Sequence, residues 1–581
     1  MLKSGFRYCS TSLLPFLIIV FSVTNLYAQP FQWAFSIGQG HTTSPDAKNI
    51  DTDKFGNVII SGTNSSVMDF DPGPGVTATT AYGDKDIFLA QYDGNGNLNW
   101  SFMLGWTDKE SIDAQFIDQD GNIYISGSFE LQIDLDPGPN VAILVAEPTW
   151  SSEYFIAKYD KDGNFLWGHM NIDGVLRFEN MTTDDAGNIY FEGFLNGTAG
   201  TIDLDFGPGV VNPTTTVGHY IAKYDSNLNY LWHQEYGYSV GGQKIVVDAN
   251  ENVYISGAFG TSIDFDPTNI NSQLIFPTLG NSDFFVVKYD RTGTYQWAFT
   301  TGSFWDESII NLAVDDQENV TICASIGGPV DFDPGPAVAN VSGPIGTLRL
   351  VLARYDSLGN YQWANRLSGL SSGAGRDMKL DPVSGDIYVT GYYWGVSDFD
   401  PSTNVAADTS VGGSIWRDVF ITHFDNAANY ISHMTFGNLY HDEPGAIHVD
   451  ELGNLFCIGN FQDVVDFEHG PGTTLLTSPQ NGSDFFILKY GTPYVVSVAE
   501  STIENVSIYP NPSSGNITIE LEKRHKNIAV QVLNSAGQLL LSNSWASASR
   551  LELNLEGLAK GMYFIRFQSD QKSGTFKVVK E

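Results

Sequence analysis

A short acidic element returns seven times along this chain and limits what it can fold into. Asp69-Phe70-Asp71-Pro72-Gly73-Pro74 is followed by versions beginning at Asp134, Asp203, Asp264, Asp331 and Asp398, and then by a degraded copy, Asp466-Phe467-Glu468-His469-Gly470-Pro471. The copies are 61–69 residues apart. A repeat of that length is one supersecondary unit, and such units bury their apolar faces by stacking on one another.

The second repeat shows what the unit contains. Residues 112–117 read as a first strand, and Asp118-Gln119-Asp120-Gly121-Asn122 as a turn. Residues 123–127 form a second strand, followed by a long loop that carries the acidic element. Residues 154–159 form a third strand, Asp160-Lys161-Asp162-Gly163-Asn164 a second turn, and a fourth strand begins near Trp167. Asp and Asn bond to nearby backbone and Gly accepts positive φ, so both turns have a mechanism. The third strand is apolar on both faces in most copies, as in Phe284-Phe285-Val286-Val287, which fits a sheet covered on both sides. Four antiparallel strands repeated radially make a β-propeller. The seventh repeat ends at Tyr490 after its third strand. Phe31-Gln32-Trp33-Ala34-Phe35 reads like the fourth-strand run Tyr295-Gln296-Trp297-Ala298-Phe299. The expected fold is therefore all-β: a seven-bladed β-propeller over 29–490, closed by the N-terminal strand, which removes the open edges.

The rest of the chain frames that domain. Lys3 and Arg7 precede an apolar run at 13–23 and then Tyr27-Ala28-Gln29, the pattern of a signal peptide over 1–28. The run is short for a transmembrane helix, and nothing later qualifies as one. Net charge is −38, and from Ala499 onward roughly eight acids meet nine bases, so the excess lies upstream. Such a field repels nucleic acid and attracts cations. Cys323 and Cys457 sit two repeats apart at positions of opposite parity and read as two buried thiols rather than a disulfide.

At Tyr289-Asp290-Arg291-Thr292-Gly293-Thr294-Tyr295-Gln296-Trp297 the repeats resemble the secreted bacterial β-propeller repeats called SBBP. The sialidase Asp-box and the quinoprotein tryptophan motif differ from this spacing, so no activity is carried over from either.

A feature present in every repeat reads as scaffold. That covers the tryptophan column and the polar column Gln91, Lys158, Lys223, Lys288, Arg354, His423 and Lys489, expected to pair with turn or loop aspartates. In Asp69/Asp71, Asp134/Asp136 and Asp331/Asp333 the two carboxylates converge on one side of an extended backbone. The expectation is turn closure by backbone N–H groups; the alternative is a ring of weak Ca²⁺ sites. No other cofactor is expected. Tight turns share one face of the disc, and long loops and inter-blade links share the other, which is the expected binding face. Off-pattern indoles gather there: Trp106, Trp150, Trp305, Trp394 and Trp416. They suit stacking on a sugar or anchoring a protein, or else burying their own loops. His441-Asp442 and Glu468-His469 lie on the same face, where a transition-metal site is the sharper reading and solvated loops the blander one.

After a linker over 491–504, residues 505–581 read as a small antiparallel β-sandwich. Tyr509-Pro510-Asn511-Pro512-Ser513-Ser514-Gly515, the turn Asn534-Ser535-Ala536-Gly537, Gly561-Met562-Tyr563 and a basic tail closely resemble the C-terminal sorting domain of the type IX (Por) secretion system. That resemblance implies the secretion machinery as partner, and a secreted or surface-attached product passing through the periplasm. The expected function is binding of an extracellular glycan or protein, with no chemistry. A glycoside hydrolase or lyase using loop carboxylates, and a purely structural surface component, are the rivals.

Overall fold

The computed structural model describes residues 30–41, 46–146, 152–170, 175–197, 202–237, 241–260, 263–266, 282–342, 349–367, 373–478, 482–491, 506–533, 539–555, 557–558, 560–569 and 572–580. The expected signal segment, nearly all of the linker, the turn at 534–537 and Trp150 lie outside them. The chain divides into two compact units, Met1–Tyr490 and Gly491–Glu581. Among the described residues there is no helix, and so none long and apolar enough to cross a membrane.

The first unit contains seven four-stranded antiparallel sheets. Six are built from consecutive segments. The first, for example, is Asp46–Thr52, Val58–Asn64, Asp86–Tyr92 and Leu98–Leu104. The seventh takes Glu443–Val449, Leu455–Gln462 and Ser483–Tyr490 from the end of the unit and Phe31–His41 from its beginning. The expected pairing is present: Phe31 lies opposite Tyr490, Ala34 opposite Leu488 and Ile37 opposite Phe485. First strands of successive sheets are neighbours, and the first strand of the seventh sheet neighbours that of the first. His448 and Asp51 join those two at 3.1 Å.

Third strands are almost wholly buried, and Asp86–Tyr92 and Asp283–Tyr289 entirely so, because each is covered on both faces. Fourth strands begin two residues before the tryptophan, at Leu98, Phe165, Tyr230, Tyr295 and Tyr361, since pairing extends past the column residue into the turn. The indoles bind the next sheet: Trp33 Nε1 donates to Gly94 O (3.2 Å), Trp232 to Arg291 O (3.1 Å) and Trp297 to Ser357 O (3.0 Å). The polar column pairs across turns as well. Lys223 meets Asp184 (3.3 Å) and Glu251 (2.7 Å), and Lys288 meets Glu318 (2.7 Å). Arg354 pairs with Asp315 and His423 with Asp386.

The acidic element is not in a plain loop. In the first repeat a small hairpin, Val67–Asp69 with Ala78–Thr80, carries it at the tip, and four other repeats have the same hairpin. Its middle residue (Phe70, Leu135, Leu204, Phe265, Phe332, Phe399 or Phe467) is buried. In six repeats the third-strand tyrosine donates its hydroxyl to that residue's carbonyl, at 2.7–3.0 Å. The hairpin is thus fastened to the sheet from within.

In the second unit, Val506–Tyr509, Asn516–Leu533, Leu539–Asn554, Gly561–Ser569 and Lys572–Lys580 are hydrogen-bonded into one five-stranded sheet. What reads as two strands, 516–521 and 529–533, is a single long strand with a register break between Glu520 and His525. Buried residues change parity across that break, from Ile517, Ile519 and Leu521 to Ile528, Val530 and Val532, and all join one core.

Candidate binding face and channel

The carboxylates of the repeated element serve the backbone. Asp69 Oδ1 accepts N–H bonds from Asp71 (3.2 Å) and Thr77 (2.9 Å), and Asp71 Oδ1 accepts one from Gly73 (2.7 Å). Asp134 and Asp136 bond to Asp136, Ala142 and Gly138, and Asp331 and Asp333 to Asp333, Ala339 and Gly335. These are Asx turns closing a hairpin.

His441, Asp442, Glu468 and His469 do not belong to a grouping of three potential ligand atoms among the described residues. His441 is exposed and packs edge-on to Trp416 at 4.8 Å, while Asp442 is fully buried and accepts N–H bonds from Asn438 and Gln462. Glu468 Oε2 accepts from Thr474 Oγ1 (3.0 Å), and the His469 backbone N–H donates to the Tyr490 hydroxyl (2.8 Å).

Among the described residues, long loops meet inter-sheet links at three places. Asp84 N donates to Asp108 O (3.0 Å), Glu307 N to Ser282 O (2.9 Å) and Asp442 N to Arg417 O (2.8 Å). Trp106 and Trp305 in those links are 38% and 39% exposed, and Phe304 beside Trp305 is 78% exposed. Trp394 and Trp416 are half-buried and belong to a larger cluster at the junction of the sixth and seventh sheets. Trp394 stacks with Tyr392 at 6.0 Å, and Trp416 packs against Tyr440 and His441. The Arg376 and Arg417 guanidiniums lie 5.0 and 4.4 Å from the Tyr392 ring centre, and both pair with Glu443. Burial works against the Glu443 charge, but the two guanidiniums outweigh it and hold its carboxyl below the usual range. Cations over aromatic faces beside half-open indoles make a rigid surface that presents both π faces and donors.

Sequence reasoning missed two features beneath this face. The first is a set of buried carboxylate pairs at sheet junctions. Burial, then the hydrogen bond and charge of Asp86, push Glu110 up to about 9. Burial pushes Asp418 to about 7 and Asp442 to about 8, against the N–H bonds each accepts. The carboxylates sit against Gly105 and Gly437, where a Cβ would collide with Asp86 and Asp418.

The second is a bulge in every first strand. Pairing with the second strand skips one residue at Lys48, Asp113, Glu179, Ile310, Arg376 and Gly445, and there is a break at the same place in the fourth sheet. Lys48, Asp113, Arg376 and Gly445, with residues next to the bulge in the other sheets, line a cavity of about 240 Å³ drawn from all seven sheets. A bulge re-aims one side chain per strand, and here that position carries lysine, aspartate, glutamate, isoleucine, arginine or glycine. Burial lowers the Lys244 ammonium in this cavity, and Asp377 raises that of Lys379.

Residues 507–581 match the family described as the secretion system C-terminal sorting domain. This segment is a type IX sorting domain. It sends the chain out through type IX secretion, to the cell surface or into the medium. The chain is similar to the uncharacterized WD repeat-containing protein L264 of Acanthamoeba polyphaga mimivirus, 25% identical over 435 residues and covering 62% of this chain and 31% of that one. It is also similar to the regulatory protein FlaEY of Caulobacter vibrioides, 28% identical over 218 residues, covering 38% of this chain and 22% of that one. The chain thus spans a third or less of the length of these two relatives. A solved protein of unknown function from Dyadobacter fermentans aligns over 80% of this chain and 99% of its own, at 9% identity and TM-score 0.33.

Proposed function

We propose that residues 31–490 form a seven-bladed β-propeller of the SBBP kind, closed by Phe31–His41, and that the sorting domain delivers it outside the cell to bind an extracellular glycan on its long-loop face. Seven four-stranded sheets with neighbouring first strands, and the WD-repeat name of the mimiviral relative, support the architecture. One observation carries the binding role: the cluster of Tyr392, Trp394, Trp416, Arg376 and Arg417 departs from the repeat and gathers where the long loop of the sixth sheet meets the link to the seventh. Indole and phenol rings offer stacking area at low entropic cost, and guanidiniums offer planar donors.

A glycan array probed with the full chain tests this. The expected result is a retained ligand whose affinity falls at least tenfold in Trp416→Ala and Arg417→Ala, with the circular dichroism of the parent. Absence of glycan binding, or binding indifferent to both substitutions, overturns the glycan assignment; reducing ends released from a bound polysaccharide would make the protein an enzyme. In this reading the repeated aspartates close turns and need no Ca²⁺. Calorimetric heat on calcium titration, lost in Asp71→Asn, would restore the metal alternative.

A further inference from the structure

The third sheet breaks the repeat at two positions at once, and carries a glutamate at its bulge, where the residue varies from sheet to sheet. Opposite the bulge, six sheets carry Ser61, Ser126, Ser256, Cys323, Thr390 and Ile458; the third carries Glu192. Near the start of the third strand the others carry apolar or aromatic residues such as Ile87, Tyr154, Phe284, Leu350 and Val419; the third carries His219. The bulge residue itself is Glu179.

These substitutions converge. One potential ligand atom from each of Glu179, Glu192 and His219 lies within 4.8 Å of the other two, the only such grouping of three among the described residues. Glu192 is fully buried and His219 nearly so. His219 Nδ1 is 3.0 Å from Glu192 Oε1, Tyr236 donates its hydroxyl to the same oxygen (2.7 Å), and Asn180 donates to Oε2 (3.3 Å). Glu179 is half-buried and opens on a cavity of about 420 Å³ shared with Lys48, Arg177 and Lys244. Arg177 Nη1 lies 3.9 Å from Glu179 Oε1 at the mouth of this group.

Six sheets of the same design are built without any of these side chains, so the scaffold does not need them. Burying a carboxylate and an imidazole where a serine and an isoleucine serve elsewhere costs stability unless something compensates. We propose that Glu179, Glu192 and His219 bind one first-row divalent cation, with an open coordination position facing the cavity. One imidazole and two carboxylates suit zinc or manganese and leave room for an exogenous ligand, whereas calcium would want more oxygens. The Tyr236 and Asn180 hydrogen bonds orient Glu192 as outer-shell partners do.

The test uses the full chain, dialysed separately against zinc and manganese and analysed for bound metal, with manganese also followed by electron paramagnetic resonance. About one equivalent is expected. Glu179→Gln, which changes a half-exposed group, and His219→Gln should each lower affinity at least tenfold while keeping the parent's circular dichroism. Substoichiometric metal in the parent, or equal retention by folded Glu179→Gln, overturns the proposal and leaves Glu192–His219 as a buried hydrogen-bonded pair. If His219→Gln does not fold, the Glu179→Gln result decides.

Discussion

Tyr289 places its hydroxyl 2.9 Å from the Phe265 carbonyl, and five other sheets repeat that bond. The sixth sheet has Phe424 there and still forms its hairpin. The bond therefore adjusts stability without deciding the fold, and Tyr289→Phe should cost about 1 kcal/mol, read as a small fall in melting temperature. Glu110 makes a stronger prediction. Its carboxyl is held near 9 by burial and by Asp86, with Asp108 adding to the effect, against about 4.5 when unfolded. The folded state keeps a proton that the unfolded state has lost, so this group's contribution is complete below about pH 4.5 and disappears as pH rises toward 9. Alkaline titration should lower stability by up to roughly 1 kcal/mol per pH unit across that window. Glu110→Gln, which needs no proton, should flatten that limb in thermal melts at pH 6 and pH 9. A limb of unchanged slope would remove Glu110 from the account.

At the scale of elements, the bulge explains a glycine that the strand pattern does not. Gly62, Gly127, Gly193, Gly391 and Gly459 interrupt second strands that are otherwise well suited to pairing. A Cβ on Gly62 would strike the Asp46 carbonyl oxygen, and one on Gly391 that of Ala374. The skipped residue throws the first-strand backbone toward its partner, and glycine leaves room for it. The fifth sheet manages with Ala324, so its backbone follows a slightly different path. Gly62→Ala should therefore destabilise by about 1–3 kcal/mol, in the range of an overpacked site, rather than abolish folding; a neutral effect by denaturant melt would mean that the bulge adapts freely. Turn elements were legible in advance because their chemistry is local. Asp118 Oδ1 accepts N–H bonds from residues two and four positions on, as the Asp-x-x-Gly-Asn spelling implies. The bulge was not legible, since an extra residue is visible only when counted against a partner strand.

At the scale of the whole molecule, the N-terminal strand Phe31–His41 pairs with Ser483–Tyr490 and so joins the two ends of the first unit. Phe35 and Ile37 are buried against the seventh and first sheets, and Trp33 reaches Gly94 in the first. Removing residues 31–41 would leave Ser483–Tyr490, with its apolar run Phe485-Phe486-Ile487-Leu488, as an open edge. Loss of Phe35 and Ile37 burial alone is worth about 3–6 kcal/mol. The truncated chain is expected to aggregate, or to melt at least 10 °C lower, and a melting temperature equal to the parent's would show that closure contributes little.

The amino-acid order alone determined the repeat number, the strand and turn types, the split seventh sheet and the sorting domain. Each of these is written in side chains that act within a few residues or recur at a fixed period. Tertiary structure decided the rest. Glu179 and Glu192 are thirteen residues apart and His219 is twenty-seven further on, and only the pairing of three strands brings them together. Comparing repeat columns marks Glu192 as the odd member of a column of small residues, but it does not say what the carboxylate faces. Asp442, adjacent to His441 in sequence, turns inward while His441 stays in solvent, because successive residues entering a strand point to opposite sides. Period and turn chemistry are local properties; a site assembled from separate strands exists only once their register is set.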